Sequence, residues 1–260
     1  MIPRFVTAAI LLPILLLCVF YLPPNLFLFL VCLLLWIAVF ELSSLLSHLE
    51  LKTYWFTFPL VLLLPWIWHY CPNQLVVYLI FSSLLCMSWS VFQDHNLKSS
   101  FQSASGNFGA LFFLGIPLSI ASNLQYRNPM ELVLLLSILW AGDSGAYLVG
   151  RKFGKHKIFP HLSPQKSLEG YISGLLCSLL TALFLGTYFF PSWSLSYLAF
   201  IGILLGILGG LGDLFESALK RNAAIKDSSQ LIPGHGGLLD RLDSLLFALP
   251  AYHILTTFIK

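Results

Sequence analysis

The sequence predicts an all-α polytopic membrane protein with about nine transmembrane helices. Of its 260 residues, 58% are hydrophobic and only 10% are charged, an excess of apolar surface that a soluble domain of this size does not need. The apolar residues form repeated runs of about 17–22 residues, the length that crosses the hydrocarbon core of a bilayer as a helix. The basic residues are concentrated in alternate loops between these runs, as membrane topology requires.

The nine predicted spans cover residues 5–21, 25–46, 54–68, 74–92, 108–124, 130–149, 171–190, 195–217 and 242–259. The third is short, so it is a candidate for a tilted or partly re-entrant helix. The first follows Arg4 and resembles the apolar core of a signal peptide. No small-residue cleavage site follows it, and Pro23 and Pro24 lead directly into the second span, so we expect this segment to be retained.

The distribution of positive charge predicts the orientation. Nine spans place the amino terminus and the loops after every second span on one side of the membrane. Of the chain's 14 Lys and Arg residues, only Arg127 and Lys260 fall on the other side. The first side is therefore expected to be cytoplasmic, and an active site built from its loops faces the cytoplasm. Because the basic residues sit in short membrane loops, we do not expect nucleic acid as a partner.

Two halves of the chain differ in character. Residues 1–130 are predicted to be N-terminal transmembrane helices with few charges, and residues 131–260 a C-terminal catalytic transmembrane region. Glu41, near the cytoplasmic end of the second span, has two interpretations. It is either a carboxylate at the membrane interface or a supporting partner of the active site.

The segment 211–244 is the most polar part of the chain and holds five of its 11 Asp and Glu residues. Asp213, Glu216, Ser217 and Lys220 follow one another at helical spacing, so they are expected on one face of a helix that leaves the membrane. Ionisable groups at membrane depth are costly and usually mark function. The alternative is a hydrated, salt-bridged loop between two helices.

A glycine-rich turn follows, with His235 between Gly234 and the pair Gly236 and Gly237. Successive backbone N–H groups in such a turn can point together and bind an anion. Asp240 and Asp243 then open the last predicted helix on one face. Carboxylates beside basic residues and a glycine-rich turn suit phosphate chemistry, because Mg²⁺ prefers carboxylate oxygens and takes phosphate oxygens as further ligands.

A second polar cluster covers residues 140–170. Asp143 lies about two helical turns inside the sixth span, roughly 10 Å deep at 1.5 Å per residue. It is either a functional intramembrane carboxylate or a buried polar contact between helices. Arg151 belongs to a basic patch that topology alone could also explain. The turn at Ser163 brings a hydroxyl group and the ammonium group of Lys166 towards the membrane surface.

Residues 217–243 resemble the defining motif of the phosphatidate cytidylyltransferases, the CDP-diacylglycerol synthases. The fixed positions of that motif fall on Ser217, Lys220, Arg221, Lys226, Asp227, His235, Gly236, Gly237, Asp240, Arg241 and Asp243. The second cluster is similar to the same family, at Trp140, Asp143, Ala146, Tyr147, Gly150, Arg151, Gly154, Ser163, Pro164, Lys166, Glu169 and Gly170. Gln165 and Leu168 depart from the residues usual at their positions, and the specific resemblance covers about residues 140–243.

The resemblance implies a reaction between CTP and phosphatidate in membrane lipid, catalysed by an integral homodimer. It implies that Asp213 and Asp240 bind Mg²⁺, with K⁺ as a candidate second cation, and a location in the bacterial inner (plasma) membrane. The expected catalytic residues are Lys220, Arg221, Lys226, Asp227, His235 and Arg241. The expected substrate-binding residues are Asp143, Arg151, Ser163, Lys166, Ser217, Gly234, Gly236, Gly237 and Asp243.

Two other functions remain open at this stage. A CTP-dependent lipid kinase would use the γ- rather than the α-phosphorus of the same nucleotide. A cation transporter would use Asp143, Asp213 and Asp240 as an intramembrane path, although the charges converge on one face of the membrane.

Overall fold

The computed structural model describes residues 2–93, 97–160, 162–229, 231 and 236–257, with the backbone alone for 2–11, 93 and 97. Regular structure in these ranges is helical apart from isolated bridge residues, among them an antiparallel pair formed by Lys157 and Ser167. The α-helices are α1 (Ile2–Tyr21), α2 (Pro24–His48), α3 (Thr57–Tyr70), α4 (Leu75–Gln93), α5 (Leu97–Gly109), α6 (Ile116–Arg127), α7 (Pro129–Phe153), α8 (Leu168–Phe189), α9 (Leu195–Asn222) and α10 (Leu239–Thr257). A 3₁₀ turn (Pro72–Gln74) precedes α4, and a π-helical segment (Ala110–Gly115) joins α5 to α6.

Each predicted span coincides with helical structure. By length and hydropathy, six helical segments among the described residues are able to cross a membrane: Pro24–His48, Pro72–Phe92, Lys98–Arg127, Pro129–Phe153, Leu168–Phe189 and Leu195–Asn222. The described part of α1 forms a shorter apolar helix, Leu12–Tyr21. Helix α3, the span predicted to be short, has 14 residues and contains Pro65. The protein is therefore an all-α membrane protein, and the count of nine spans stays a prediction.

The fifth predicted span begins earlier than the hydropathy indicated. Residues 97–107, which lie between the fourth and fifth predicted spans, form most of α5, which continues through the π-helical segment into α6. The side chain of Asn107 explains why this polar stretch packs. Its Oδ1 accepts hydrogen bonds from Tyr54 N (2.9 Å) and Thr57 Oγ1 (2.6 Å), and its Nδ2 donates to the carbonyls of Lys52 and Ser103. A fully hydrogen-bonded amide can be buried at little cost.

The chain forms two compact units. Unit 1 contains Met1–Arg127 and Asn222–Asp240, and unit 2 contains Asn128–Arg221 and Arg241–Lys260. The segment between α9 and α10 thus belongs with the first helices of the chain, although it follows the ninth in sequence. Whether residues 1–130 and 131–260 are separate functional domains stays a prediction.

In unit 1, α2, α3 and α6 pack against one another and against the π-helical segment. Leu35, Leu64, Leu114 and Leu124 are fully buried in this core. In unit 2, α7 and α8 have the closest packing because small residues face each other across the contact. A Cβ added to Gly174 would lie 3.0 Å from the carbonyl oxygen of Gly142. Small residues at such contacts let two helices approach closely in a membrane.

Candidate active site

Three carboxylates from three helices of unit 2 are electrostatic neighbours. Asp143 on α7 interacts with Asp213 on α9 and with Asp243 near the start of α10. The positive charges that reach Asp143 come from Lys166 and Arg241. Asp143 is exposed through a crevice between α7, α8 and α9, which is otherwise lined mostly by apolar and small residues. Like charges repel one another, and the positive charges of Lys166 and Arg241 offset part of that repulsion.

Lys166 and Asp213 form an ion pair with an Nζ–Oδ2 distance of 2.7 Å. The contact does not have hydrogen-bond geometry, so it is better described as two adjacent charges than as a directed bond. The Asp213 side chain is 41% exposed and that of Lys166 27% exposed. Lys166 lies in the segment between α7 and α8, where its backbone N–H donates to the carbonyl of Ser163 at 3.1 Å. This turn brings the ammonium group to α9, the helix that carries Asp213.

Glu169, in the first turn of α8, holds the segment between α7 and α8 against the start of that helix. Its carboxylate accepts hydrogen bonds from the backbone N–H groups of Lys155 and His156, and it lies 2.6 Å from His156 Nδ1. Ser167 caps α8 by accepting a hydrogen bond from Gly170 N at 3.3 Å. These contacts hold the turn that carries Ser163 and Lys166. His156, which the sequence left without a role, contributes to that fastening.

Arg151 lies in the last turn of α7 and is exposed. Its Nη1 donates to Tyr147 Oη at 3.0 Å, one helical turn back along α7. The guanidinium group is thus held at the surface of α7 by a residue of the same helix.

The sequence-predicted polar face lies on α9. Glu216 is buried, with 3% of its side chain exposed, and its Oε1 lies 3.3 Å from Lys220 Nζ. The positive charge of Lys220 also interacts with the Asp243 carboxylate. Gly212 lets α10 approach this helix, because a Cβ there would overlap the carbonyl oxygen of Asp243.

Gly236 and Gly237, the described residues of the glycine-rich turn, lie in unit 1 beside Asp240. Asp240 Oδ2 accepts hydrogen bonds from Gly237 N (2.8 Å), Ser228 N (3.0 Å) and Ser228 Oγ (3.0 Å). Gly236 has φ +82°, a conformation that glycine adopts without steric cost. A Cβ at that position would also lie 2.7 Å from Asp240 Oδ2. Backbone conformation and space therefore both favour glycine here.

Glu41, on α2, lies beneath the same turn with 3% of its surface exposed. Its Oε1 accepts hydrogen bonds from Ser229 Oγ (2.6 Å) and Leu238 N (2.9 Å). Its Oε2 accepts from Ser228 Oγ (3.0 Å) and Leu239 N (2.8 Å). The structure shows that Glu41 is hydrogen-bonded to residues on both sides of the glycine-rich turn, and its role as a supporting partner of the active site stays a prediction.

The remaining predicted residues lie close to these two groups in sequence. Ser217 and the exposed Arg221 are on α9, Lys226 and Asp227 are exposed in the segment after α9, and Arg241 is exposed in the first turn of α10. Gly234 and His235 lie outside the described residues. Within the described ranges, no three His, Cys, Asp or Glu side chains are grouped closely enough to hold a metal ion by themselves.

Sequence reasoning named neither Ser228 nor Ser229, and it left Glu41 undecided. The two serines stand at variable positions of the recognised motif, so the motif gave no signal for them. The only available signal was a lone carboxylate in an apolar segment, which at membrane depth needs partners.

Comparisons with known proteins identify the family of this chain. The model of the cytidylyltransferase family matches residues 2–259. A phosphatidate cytidylyltransferase of Staphylococcus saprophyticus is 37% identical over 177 residues, which cover 68% of this chain and 67% of that protein. Proteins of the same name from Staphylococcus epidermidis and Staphylococcus aureus are each 36% identical, over 177 and 179 residues, with the same coverage. The match over nearly the whole length shows that this chain belongs to the cytidylyltransferase family.

Proposed function

We propose that this chain is a nucleotidyltransferase that converts CTP and phosphatidate into CDP-diacylglycerol and pyrophosphate. The observation that carries the proposal is the family match from residue 2 to residue 259. The names of relatives at 36–37% identity support the choice of substrates. Six helical segments of membrane-crossing length suit a substrate whose acyl chains stay in lipid.

In the proposed reaction, an oxygen of the phosphatidate phosphate attacks the α-phosphorus of CTP. A new P–O bond forms there while the bond to the oxygen that bridges the α- and β-phosphorus breaks, and pyrophosphate leaves in line. A phosphate monoester is already an anion near neutral pH, so no strong general base is required. Positioning of the two anions and neutralisation of their charge supply the acceleration.

Cationic side chains of the recognised motif neutralise the triphosphate. We assign this role to Lys220, Arg221, Lys226 and Arg241, with Asp227 and His235 in the same catalytic set. Lys220 is paired with Glu216 at 3.3 Å, so the charge it offers a phosphate is held in place by a buried carboxylate. Positive groups placed before the reaction stabilise charge that develops in the transition state.

Asp213 and Asp240 are the proposed ligands of Mg²⁺, with K⁺ as a candidate second cation. Both supply the hard carboxylate oxygens that Mg²⁺ prefers. Asp213 also accepts a cation in this structure, because the Lys166 ammonium group lies 2.7 Å from its Oδ2. When bound, the metal would polarise the phosphate oxygens and offset their charge. Asp143 and Asp243 are proposed to support the site.

The lipid phosphate is assigned to Arg151, Ser163 and Lys166, beside the membrane surface. Ser217, Gly234, Gly236 and Gly237 are assigned to substrate binding, the glycines through their backbone. We further propose nine spans, an active site open to the cytoplasm, a homodimer and a location in the bacterial inner (plasma) membrane. The bias of basic residues towards one side supports the orientation.

Labelled CTP tests the reaction directly. Purified protein is incubated with phosphatidate, Mg²⁺ and CTP labelled at either the α- or the γ-phosphorus, and the lipids are separated by thin-layer chromatography. We expect label in the lipid from α-labelled CTP alone, and no product when Mg²⁺ is chelated. Transfer of the γ-label would show a lipid kinase instead. Cation flux into proteoliposomes without CTP, and no lipid product, would show a transporter.

A further inference from the structure

A single carboxylate from the start of the chain holds both ends of the glycine-rich turn. Glu41 accepts hydrogen bonds from Ser228 and Ser229, which precede the turn, and from Leu238 and Leu239, which follow it. All four donors are within 3.0 Å of its oxygens. A carboxylate that accepts several hydrogen bonds fixes the geometry of the groups around it.

One backbone donor is the first N–H group of α10, which begins at Leu239, and the other belongs to Leu238, the residue just before the helix. These groups have no acceptor within the helix, and the positive end of the helix dipole favours a negative charge beside them. Glu41 therefore determines where α10 starts, and Asp240 is the next residue along the helix.

Glu41 also reaches Asp240 through one hydroxyl group. Ser228 Oγ lies 3.0 Å from Glu41 Oε2 and 3.0 Å from Asp240 Oδ2. A hydroxyl group has one proton to donate, so the two carboxylates share it. Any movement of the Glu41 carboxylate changes the position of Ser228 and, with it, two of the hydrogen bonds that hold Asp240 Oδ2.

Gly237 also packs tightly against Glu41. A Cβ on Gly237 would lie 2.6 Å from Glu41 Oε2 and 2.8 Å from Oε1, and it would overlap Ser228 Oγ. The backbone at Gly237 thus rests directly on the carboxylate group. Its N–H group points to Asp240 at 2.8 Å.

We infer that Glu41 is a positioning residue for the CTP half of the site: it fixes the backbone around Gly237 and the Asp240 carboxylate in the arrangement that receives the triphosphate and its metal. The inference rests on the proposed function in assigning the turn and Asp240 to CTP and Mg²⁺. A residue that only stabilised the fold would affect CTP and phosphatidate alike.

The test compares Glu41→Gln with Glu50→Gln in the purified full-length protein. Glu50 is an exposed carboxylate two residues beyond the end of α2, so its variant is the matched control. Affinity for α-labelled CTP is measured by equilibrium dialysis at several Mg²⁺ concentrations, and KM for phosphatidate is measured separately. For Glu41→Gln we expect CTP affinity to fall roughly tenfold, equivalent to ~1.4 kcal/mol, while KM for phosphatidate stays within about twofold, since the lipid contacts are elsewhere. Glu50→Gln should match the parent in both.

Ser229→Ala serves as the second variant, because it removes one of the four donors and leaves the Glu41 carboxylate in place. It should weaken CTP binding in the same sense but by a smaller factor. An unchanged CTP affinity in both variants would overturn the inference, and so would equal losses for CTP and phosphatidate. Dialysis does not depend on turnover: a parent protein that binds CTP but forms no CDP-diacylglycerol would refute the proposed reaction and leave the role of Glu41 to be decided by the binding data.

Discussion

Asp213 and Asp240, the two carboxylates assigned to the metal, are held by different kinds of partner. Asp213, in unit 2, faces the ammonium group of Lys166, the end of a long side chain. Asp240, in unit 1, receives backbone N–H groups and a serine hydroxyl group. Because the Asp213 side chain is 41% exposed, another cation can reach it and replace the lysine, whereas backbone donors hold a carboxylate oxygen in one place. If both residues bind the metal as proposed, Asp213 is kept neutralised until a cation arrives and Asp240 is kept in position.

The largest expected effect is the loss of either carboxylate. Asp213→Asn and Asp240→Asn should each leave less than about a tenth of the activity, a loss above ~1.4 kcal/mol of transition-state stabilisation. The comparison predicts that they differ in stability. Asp240→Asn replaces the charged acceptor of the hydrogen bonds from Gly237 and Ser228 by a neutral amide oxygen, and the weaker hydrogen bonds cost roughly 1–3 kcal/mol. Asp213→Asn loses a partly exposed ion pair worth about 0–1 kcal/mol.

Rates with saturating substrates and midpoints of thermal unfolding, measured on the same preparations, check both statements. Activity above about a tenth of the parent in either variant would argue against a metal role for that residue. Equal unfolding midpoints for the two variants would contradict the difference in how they are held.

A second prediction concerns the backbone that holds Asp240. Gly237→Ala places a methyl group against Ser228 and Glu41, so the turn must shift and CTP affinity should fall about as much as it does for Glu41→Gln, roughly tenfold. Gly109→Ala is the matched control, since a Cβ there would meet nothing within 4 Å. Equilibrium dialysis with labelled CTP compares the two. Parent-like CTP binding by Gly237→Ala would show that the turn is only a connector.

A smaller effect is expected from a change at Lys166, the partner of Asp213. If the Lys166 ammonium group competes with the metal for Asp213, Lys166→Gln should lower the Mg²⁺ concentration for half-maximal activity by about twofold, consistent with a partly exposed ion pair. The same change should raise KM for phosphatidate, because a candidate contact to the lipid phosphate is lost. Lys152→Gln, at an exposed position in the last turn of α7, is the control for removing one positive charge. A higher Mg²⁺ requirement in Lys166→Gln would refute the competition.

The last prediction concerns topology: the segments near Asp213 and Asp240 should face the same side of the membrane. Lys155→Cys and Asn222→Cys place thiols at two exposed positions, one in the segment that carries Lys166 and one at the last residue of α9. In a background without the five native cysteines, an impermeant thiol reagent should label neither in intact cells and both after lysis. Labelling of either from outside would reverse the orientation of its segment.

Hydropathy predicted much of the fold because a transmembrane helix is formed by consecutive apolar residues, which are visible in the sequence. Each predicted span is matched by helical structure, with boundaries a few residues off in most cases. Helix α5 was missed for the opposite reason. Its residues are mostly polar, and Asn107 is satisfied by Lys52, Tyr54 and Thr57, which lie 50 or more residues away. A local sequence pattern cannot predict partners that are this distant in sequence.

The candidate site divides in the same way. The motifs located Asp213, Asp240 and the glycines because family spacing is a property of the sequence. Gly236 could also be expected to be sensitive to substitution, and its positive φ gives the reason. Glu41 could not be assigned, since its donors lie 187–198 residues further along the chain. Its role depends on tertiary contacts that motif spacing does not encode.

That separation has a consequence for the order in which the protein is made. Glu41 leaves the ribosome long before Ser228 and Leu239 exist, by ~10–40 s at typical rates of synthesis. During that interval the end of α2 carries a carboxylate whose four donors have not been translated, so it must stay hydrated or neutral at the membrane surface. The glycine-rich turn then closes onto a helix inserted among the first. Assembly of this part of the site is thus among the final events of biogenesis, and an interrupted chain that ends before residue 228 would expose an unsatisfied acid where the finished protein has a closed turn.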